Sequence, residues 1–319
     1  MLSDESEKVA MISFSILDDY PSKLEAITAV LKDNLSNSFI KKWKDDIPNL
    51  NKRVQRRDQI SLPIDFVNRN MVNPQFVCVS TLSTPRIIAE DENFLIINKP
   101  PNVHGHPLSY SEKDNILSFL RDKYPYQWGN CLQSVNETKH ERGLLYRLDY
   151  ETSGVLIYVK NDQLYQYLRE NYSKVVTQKI YIAIVRGHFD RPGVHRHTLK
   201  PTGKNGHKMV ASATATSTPT AAQASLNVSI LEYNQEKDLS LLKIELHTGI
   251  RHQIRVQLRA LGYPILGDNL YGSSGPSPDP SVSRLFLHAL TYKILLNERE
   301  YVYKSETTDA LAFDHYFRF

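Results

Sequence analysis

Short apolar runs separated by turn-forming residues dominate the chain from about residue 86 onwards. Residues 94–98 (FLIIN) and 154–159 (GVLIYV) are apolar at almost every position, which is typical of strands buried on both faces. Further strands are predicted over residues 179–186, 226–233, 239–246 and 285–296. Residues 234–238 fit a hairpin turn between two of them.

Helical spacing of apolar residues occurs in fewer segments. It predicts helices over residues 23–35, 115–124, 162–172 and 252–261. Asn161 is the predicted N-cap of the third helix, and Gly262 ends the fourth. Strands in hairpin-like succession, mixed with a few helices, indicate an α+β domain with a mostly antiparallel sheet.

The chain is predicted to divide near residue 85. Residues 1–85 hold one helix, a group of basic side chains and a proline-containing linker over residues 62–85, with a short strand at 76–79. The basic side chains are Lys41, Lys42, Lys44, Lys52, Arg53, Arg56 and Arg57. They indicate either a solvated surface or a small RNA-binding module. Residues 86–319 are predicted to form one domain. The Ser- and Thr-rich residues 209–231 are predicted to be a polar loop rather than a membrane helix.

Composition excludes several classes of protein. Hydrophobic residues make up 41% and charged residues 23%, which excludes a chain that is disordered throughout. The two cysteines form no CxxC pair, so we expect a reducing compartment, and the N-terminus lacks a secretory or transit pattern. We therefore expect a cytoplasmic protein. The net charge of +4 permits a polyanionic partner without indicating one.

Common nucleotide, hydrolase and metalloprotease motifs are missing from the sequence. It contains no phosphate-binding GxxxxGK[ST] loop, no GxGxxG, no GxSxG and no HExxH. The pairs His104/His106 and His195/His197 have the spacing of metal ligands on a strand, which leaves a metal hydrolase as one hypothesis. Cysteine or carboxylate partners do not accompany them at matching spacing, so we expect no metal.

Two segments carry candidate chemistry. Arg147 and Asp149 lie on a predicted turn before a buried strand, a place where reactive side chains are held rigidly; the alternative is a structural ion pair. In the second segment, Arg251, His252 and Arg255 lie at a predicted helix start. There Arg251 and Arg255 would share a face and bind phosphates or a buried carboxylate. The alternative is a solvated basic helix end.

Together with residues 179–183 (KIYIA), these segments resemble the RluA-type pseudouridine synthases. The resemblance extends from Arg86 to Leu296 and follows the order of the family's motifs. The matching segments are NKP (98–100), HP (106–107), RLDYETSG (147–154), KIYIA (179–183), TGIRHQIRV (248–256), GYPILGD (262–268), YG (271–272) and RLFLHA (284–289).

The resemblance implies an α+β catalytic domain with a mixed, largely antiparallel bent sheet flanked by helices. It implies isomerisation of uridine in structured RNA: the C1′–N1 bond breaks, the uracil turns, and a C1′–C5 bond forms, without cofactor or metal. Asp149 matches the essential aspartate, which must be ionised to act. Arg255 matches its arginine partner, and Tyr181 matches the tyrosine that contacts the base and whose hydroxyl can assist proton removal at C5.

The resemblance also suggests which residues bind the substrate. Leu287 matches an apolar contact under the base, and Arg147, Arg251 and His252 are expected to hold the distorted RNA. Ribosomal RNA is the first expected substrate and transfer RNA the second, bound by a monomer without membrane association. The competing hypothesis is a catalytically silent RNA-binding or RNA-folding protein that uses the same cleft.

The chain departs from the family pattern at several places. Tyr146 replaces the usual histidine before Arg147, and Ile250 replaces an arginine after Thr-Gly, which removes one phosphate contact. Residues 1–85 are at most a divergent version of the S4-like RNA-binding domain that often precedes this catalytic domain. These departures concern the selection of RNA more than the chemistry, because Asp149, Tyr181 and Arg255 are all present.

Overall fold

The computed structural model describes most of the chain from Pro85 onwards and shorter parts before it. The described residues are 11–15, 19–30, 49–56, 58–63, 85–107, 115–124, 127–128, 130–136, 141–203, 206–213, 220–272, 282, 284–305 and 313–317. Statements about structure below concern these residues. The predicted strand at 76–79, the last turn of the predicted helix 23–35, and Lys41, Lys42, Lys44 and Arg57 lie outside them.

The described part of the N-terminal region forms a small unit of two strands and one helix. Strands β1 (Met11–Ser15) and β2 (Gln59–Pro63) pair antiparallel, and helix α1 spans Lys23–Val30. The helix begins at Ser22, whose hydroxyl accepts a hydrogen bond from the Glu25 amide at 3.1 Å and donates one to the Glu25 carboxylate at 3.2 Å. Lys52, Arg53 and Arg56 are exposed nearby in the chain.

A ten-stranded sheet forms the rest of the described fold. Its strands are β3 (Arg86–Glu90), β4 (Phe94–Lys99), β5 (Ser153–Val159), β6 (Val176–Arg186), β7 (Gly193–Thr202), β8 (Lys208–Ser212), β9 (Ala222–Asn234), β10 (Leu239–Leu246), β11 (Leu287–Leu296) and β12 (Arg299–Lys304). The order is β3-β4-β5-β11-β6-β10-β9-β7-β8, and β12 pairs with the second half of β11. Strands β5 and β11 pair in parallel and the other pairs are antiparallel, which confirms the mixed, largely antiparallel sheet.

Short helices flank this sheet. They are α2 (Ile116–Lys123), α3 (Asn130–Gln133), α4 (Asp162–Glu170), α5 (Tyr172–Val175) and α6 (Gln253–Ala260), followed by a 3-10 turn at Phe313–His315. The Asn161 side chain accepts a hydrogen bond from the Leu164 amide at 2.9 Å, which confirms the predicted N-cap. Asn171 separates α4 from α5, so the predicted helix 162–172 ends earlier than expected.

Two hydrophobic cores meet beside the turn that precedes β5. One core is built on β4, β5 and α2, where every residue of β5 is buried. The other core contains side chains of β6, β10 and α6. Leu148 packs against both cores, so the turn around it is held between two rigid layers.

The prediction of a polar loop over residues 209–231 is wrong. Strands β8 and β9 occupy much of this segment, and β7 before it was also missed. Buried apolar positions are sparse there: Leu199, Met209 and Ala224 are buried, and five of their six chain neighbours are polar or charged, so no apolar run marks the strands. No helix within the described residues is long and apolar enough to cross a membrane.

We expect Gly154→Ala to destabilise the fold by roughly 2 kcal/mol or more. Gly154 has a φ of 115°, and a Cβ atom there would collide with the carbonyl oxygen of Ala289 and lie 2.6 Å from its amide nitrogen. These are backbone atoms of the parallel β5–β11 pairing and cannot move aside. Urea unfolding measures the loss.

Gly193→Ala is the matched control for this prediction. Gly193 has the same φ of 115°, but nothing lies within 4 Å of the place that a Cβ atom would take, so it isolates backbone strain from steric collision. Its expected cost is about 1 kcal/mol. Equal losses in the two variants would contradict the close strand approach.

Candidate active site

A cleft of about 1000 Å³ lies at the turn before β5 and gathers the residues singled out in the sequence. All the predicted site residues line it, namely Arg147, Asp149, Tyr181, Arg251, His252, Arg255 and Leu287. They come from four separate parts of the chain. The fold therefore brings these parts together, although their sequence separation reaches more than a hundred residues.

The guanidinium of Arg255 on α6 joins the carboxylates of the site. Its Nη1 donates to Asp149 Oδ2 at 3.2 Å and to Glu151 Oε2 at 3.3 Å. Its Nε and Nη2 form a two-point contact with Asp268, at 2.9 Å each. Burial alone would lower the pKa of Arg255, but the hydrogen bonds and charge of Asp268, with the charges of Asp149 and Glu151, raise it overall. The arginine is thus a permanent cation beside Asp149.

Asp268 is the structural partner of this arginine. The carboxylate is buried and also accepts hydrogen bonds from the amides of Leu270 and Tyr271, each at 2.9 Å. Burial by itself would raise the pKa of Asp268, yet the hydrogen bonds and charge of Arg255 hold it below its ordinary value. The sequence contained Asp268 in a family motif, but its pairing with Arg255 was not predicted.

Lys99 holds the turn before β5 in place, and it was not predicted as a functional residue. Its fully buried ammonium donates to the carbonyl oxygens of Pro100 at 2.9 Å, Val103 at 2.8 Å and Tyr150 at 3.0 Å. Burial, together with the charge of Arg284, lowers its pKa to about 7. Three carbonyl acceptors match the three N–H donors of the ammonium. The residue next to Asp149 is therefore tied to the end of β4.

A second buried network holds the start of β5. Arg284 Nη2 donates to Ser153 Oγ at 2.8 Å, and Ser153 Oγ lies 2.8 Å from Nδ1 of His288. Burial and the charge of Arg284 lower the pKa of His288 to about 3, so its ring is neutral beside the serine hydroxyl. The RLFLHA motif thus supports the turn, which the sequence alone did not reveal.

Tyr181 on β6 and Leu287 on β11 provide an aromatic and an apolar surface in the cleft. Burial, reinforced by Tyr172 and the charge of Asp149, raises the pKa of Tyr181. Its hydroxyl therefore keeps its proton. Lys179, two residues earlier on the same strand, adds a cleft-lining amine that donates to the Thr248 carbonyl at 3.1 Å. Burial lowers the pKa of that amine to about 8.

His252 is held with one ring nitrogen turned towards Asp149. Its Nδ1 lies 2.8 Å from the hydroxyl of Tyr271, and its Nε2 lies 3.9 Å from Asp149 Oδ1. The amide of Met209 donates to the same hydroxyl at 2.8 Å, which helps to hold the Tyr271 side chain beside the ring. Burial lowers the pKa of His252, although the charge of Asp149 opposes this and the charges of Arg255 and Arg251 reinforce it.

The structure corrects the expected relation between Arg251 and Arg255. Helix α6 begins at Gln253, after His252 in the left-handed conformation with φ of 56°, so the two arginines do not share a helical face. Arg251 donates instead to the Gly206 carbonyl and approaches Met209 Sδ at 3.5 Å, which links the α6 turn to β8. Arg147 is exposed at the cleft.

The histidine pairs make other contacts. His106 Nδ1 lies 2.9 Å from the Pro107 carbonyl, His195 Nε2 lies 2.8 Å from the Arg191 carbonyl, and His197 Nδ1 lies 3.0 Å from Gln257 Nε2. The described part of the chain contains no cluster of three or more His, Cys, Asp or Glu side chains arranged to hold a metal ion. The geometry therefore gives the metal hydrolase hypothesis no support.

Solved structures of known proteins share the fold. The solved human RNA pseudouridylate synthase domain containing 1 superposes with a TM-score of 0.54 at 22% identity, over 70% of this chain and 83% of that one. Human RNA pseudouridylate synthase domain containing 4 gives the same TM-score and identity, over 71% of this chain and 90% of that one. These two likenesses show the fold.

Relatives found by sequence have a higher identity to this chain than these two structures. The ribosomal large subunit pseudouridine synthase D of Borreliella burgdorferi is 30% identical over 246 residues, which cover 77% of this chain and 70% of that protein. The uncharacterized RNA pseudouridine synthase YhcT of Bacillus subtilis is 27% identical over 277 residues, covering 86% and 82%. The RNA pseudouridylate synthase family model matches residues 93–260, just over half of the 319 residues. This chain therefore belongs to the RluA-type family of RNA pseudouridine synthases.

Proposed function

We propose that this protein converts specific uridines of ribosomal RNA into pseudouridine, with Asp149 as the essential catalytic group. The observation that carries the proposal is the Asp149 carboxylate, 23% exposed in the cleft and held at 3.2 Å by the buried Arg255. Relatives named ribosomal large subunit pseudouridine synthase D in three bacteria support ribosomal RNA as the substrate class.

Asp149 is suited to attack because the two oxygens of its carboxylate, which lines the cleft, are held to different degrees. Oδ2 accepts from Arg255, while Oδ1 faces His252 Nε2 across 3.9 Å. That wider gap leaves Oδ1 less tightly engaged. Arg255 supplies the counter-charge that a half-buried carboxylate needs, and its own contact with Asp268 keeps it in place.

The remaining groups suit the turning of a base. A cleft of about 1000 Å³ has room for a nucleotide that has left its stack. Tyr181 offers a ring for stacking and a protonated hydroxyl for hydrogen bonding, and Leu287 offers an apolar contact. Because that hydroxyl is protonated, its part in proton removal at C5 is to relay a proton or orient a group. Arg147 and Lys179 place positive charge in the cleft for phosphates.

The decisive experiment maps pseudouridine in cells that lack this gene and carry a rescue plasmid. Wild type is expected to restore one or more sites, and Asp149→Asn to restore none, because the amide is a poor nucleophile and base. Carbodiimide primer extension on separated ribosomal and transfer RNA fractions identifies the substrate class. Glu151→Gln is the matched control: it removes the second carboxylate that accepts from Nη1 of Arg255 and is expected to reduce conversion without abolishing it.

Two results would refute the proposal. Full rescue by Asp149→Asn would favour the silent RNA-binding alternative, in which the cleft binds without isomerising. A site restored only in transfer RNA would keep the chemistry and overturn the substrate class.

Asp268→Asn tests the support of the catalytic arginine. The change weakens a charged two-point contact and leaves Arg255 free to shift towards Asp149 and Glu151. We expect the single-turnover rate to fall roughly 100-fold, since misplacement by about 1 Å has that effect. Asp190→Asn, which alters an exposed carboxylate beside Arg191, is the matched control and should leave the rate unchanged. Equal rates in both variants would contradict the positioning role.

Tyr181→Phe tests whether a phenolate takes part. Burial raises the pKa of Tyr181, so the wild-type hydroxyl stays protonated between about pH 6 and pH 10. We expect the variant to be slower, since it lacks the hydrogen-bond donor, but its pH–rate profile should keep the wild-type shape. An alkaline rise that is present in wild type and absent from Tyr181→Phe would show that the phenolate is the base.

A further inference from the structure

Tyr150 is an exposed aromatic residue directly beside the proposed catalytic aspartate. Its side chain is 43% exposed and lines the cleft, whereas the cleft residues Tyr146 and Tyr181 are below 10%. Exposing a large ring costs hydrophobic free energy that burial would recover. Such a ring at a rigid site entrance is available to a ligand.

Hydrogen bonds fix the backbone of Tyr150, which limits the positions that its ring can reach. The Tyr150 carbonyl accepts hydrogen bonds from Lys99 Nζ at 3.0 Å and from the Val103 amide at 3.2 Å. The Thr152 amide donates to the Asp149 carbonyl at 3.1 Å, which closes the turn around it. A ring on a fixed backbone loses little conformational entropy when it stacks on a ligand.

A second ring extends this surface. The imidazole of His104 lies 4.7 Å from the Tyr150 ring, centroid to centroid, at an interplanar angle of 51°, and it also lines the cleft. The backbone of His104 is fixed as well, because its carbonyl accepts from the Ile116 amide at 2.9 Å. Two adjoining rings at a cleft wall match the aromatic surfaces on which single-stranded nucleic acids stack their bases.

We propose that Tyr150, supported by His104, is a stacking platform for an RNA base next to the uridine that enters the cleft. The inference rests on the proposed function, which supplies the RNA. A uridine that leaves its helix exposes the face of its neighbour, and a fixed aromatic ring beside Asp149 covers that face. The platform would hold the RNA open and favour sequences whose neighbouring base stacks well, purines above pyrimidines.

The test uses the full chain and a single-stranded uridine oligonucleotide with one central 2-aminopurine, whose fluorescence falls when it stacks. Wild type and Tyr150→Phe are expected to quench the fluorophore. Tyr150→Ala should lose the quenching and bind with a Kd raised roughly tenfold, the loss of one stacked base. Tyr167→Ala is the matched control, since Tyr167 is 48% exposed but lies outside the cleft lining, and it should behave as wild type.

The outcomes separate this proposal from the proposed function. Quenching and Kd in Tyr150→Ala equal to those of Tyr167→Ala would overturn the platform, whatever the activity. If quenching depends on Tyr150 but wild type forms no pseudouridine in ribosomal or transfer RNA, the platform stands and the proposed function fails. Loss of quenching in Tyr150→Phe as well would also overturn the platform, because the ring alone should suffice.

Discussion

The guanidinium of Arg255 brings a full positive charge into the interior, where only 2% of its side chain is exposed. Such a charge is tolerated only with close anionic partners. Asp268 takes the Nε and Nη2 edge, which leaves Nη1 directed at Asp149. The direction of the remaining donor is therefore set by a partner that does not face the substrate. Because Asp268 and Asp149 contact different nitrogens of the guanidinium, the position of Nη1 relative to Asp149 is fixed. The proposed chemistry depends on that position.

Asp149 is fixed independently, from the other side of the cleft. Lys99 ties its neighbour Tyr150 to the end of β4, and the Ser153–Arg284 contact ties the start of β5 to the approach to β11. Gly154 allows β5 to lie against β11 at a distance that a side chain would prevent. The distance between Asp149 and Arg255 thus depends on how the two hydrophobic cores pack against each other. A substitution in either core that alters this packing would change that distance.

Much of this arrangement could be predicted from the sequence where apolar patterns are strong. Strand β5 was predicted to within one residue because it is an almost uninterrupted apolar run. Strand β10 was predicted with the bounds that the structure gives it, because its Leu and Ile residues alternate with single polar residues between two turn signals. Strands β7 and β8 were missed because β7 carries mainly basic and polar side chains and β8 is only five residues long. The grouping of the site residues followed from the resemblance. The partner of Arg255 did not, because Asp268 lies thirteen residues away and only the folded turn brings the two together.

Tyr146 and Ile250, the two departures from the family pattern near the site, line the cleft around this charged centre. Packing rather than charge holds them in place. Tyr146, in place of histidine, donates to the Val155 carbonyl at 2.6 Å and stacks on Tyr292 with ring centroids 4.2 Å apart. Ile250, in place of arginine, packs against the small cluster that includes Met209. Both residues make these contacts within the protein. Packing thus holds these two residues, whereas charge holds the carboxylates around Arg255, of which Asp268 alone makes a two-point contact with the buried cation.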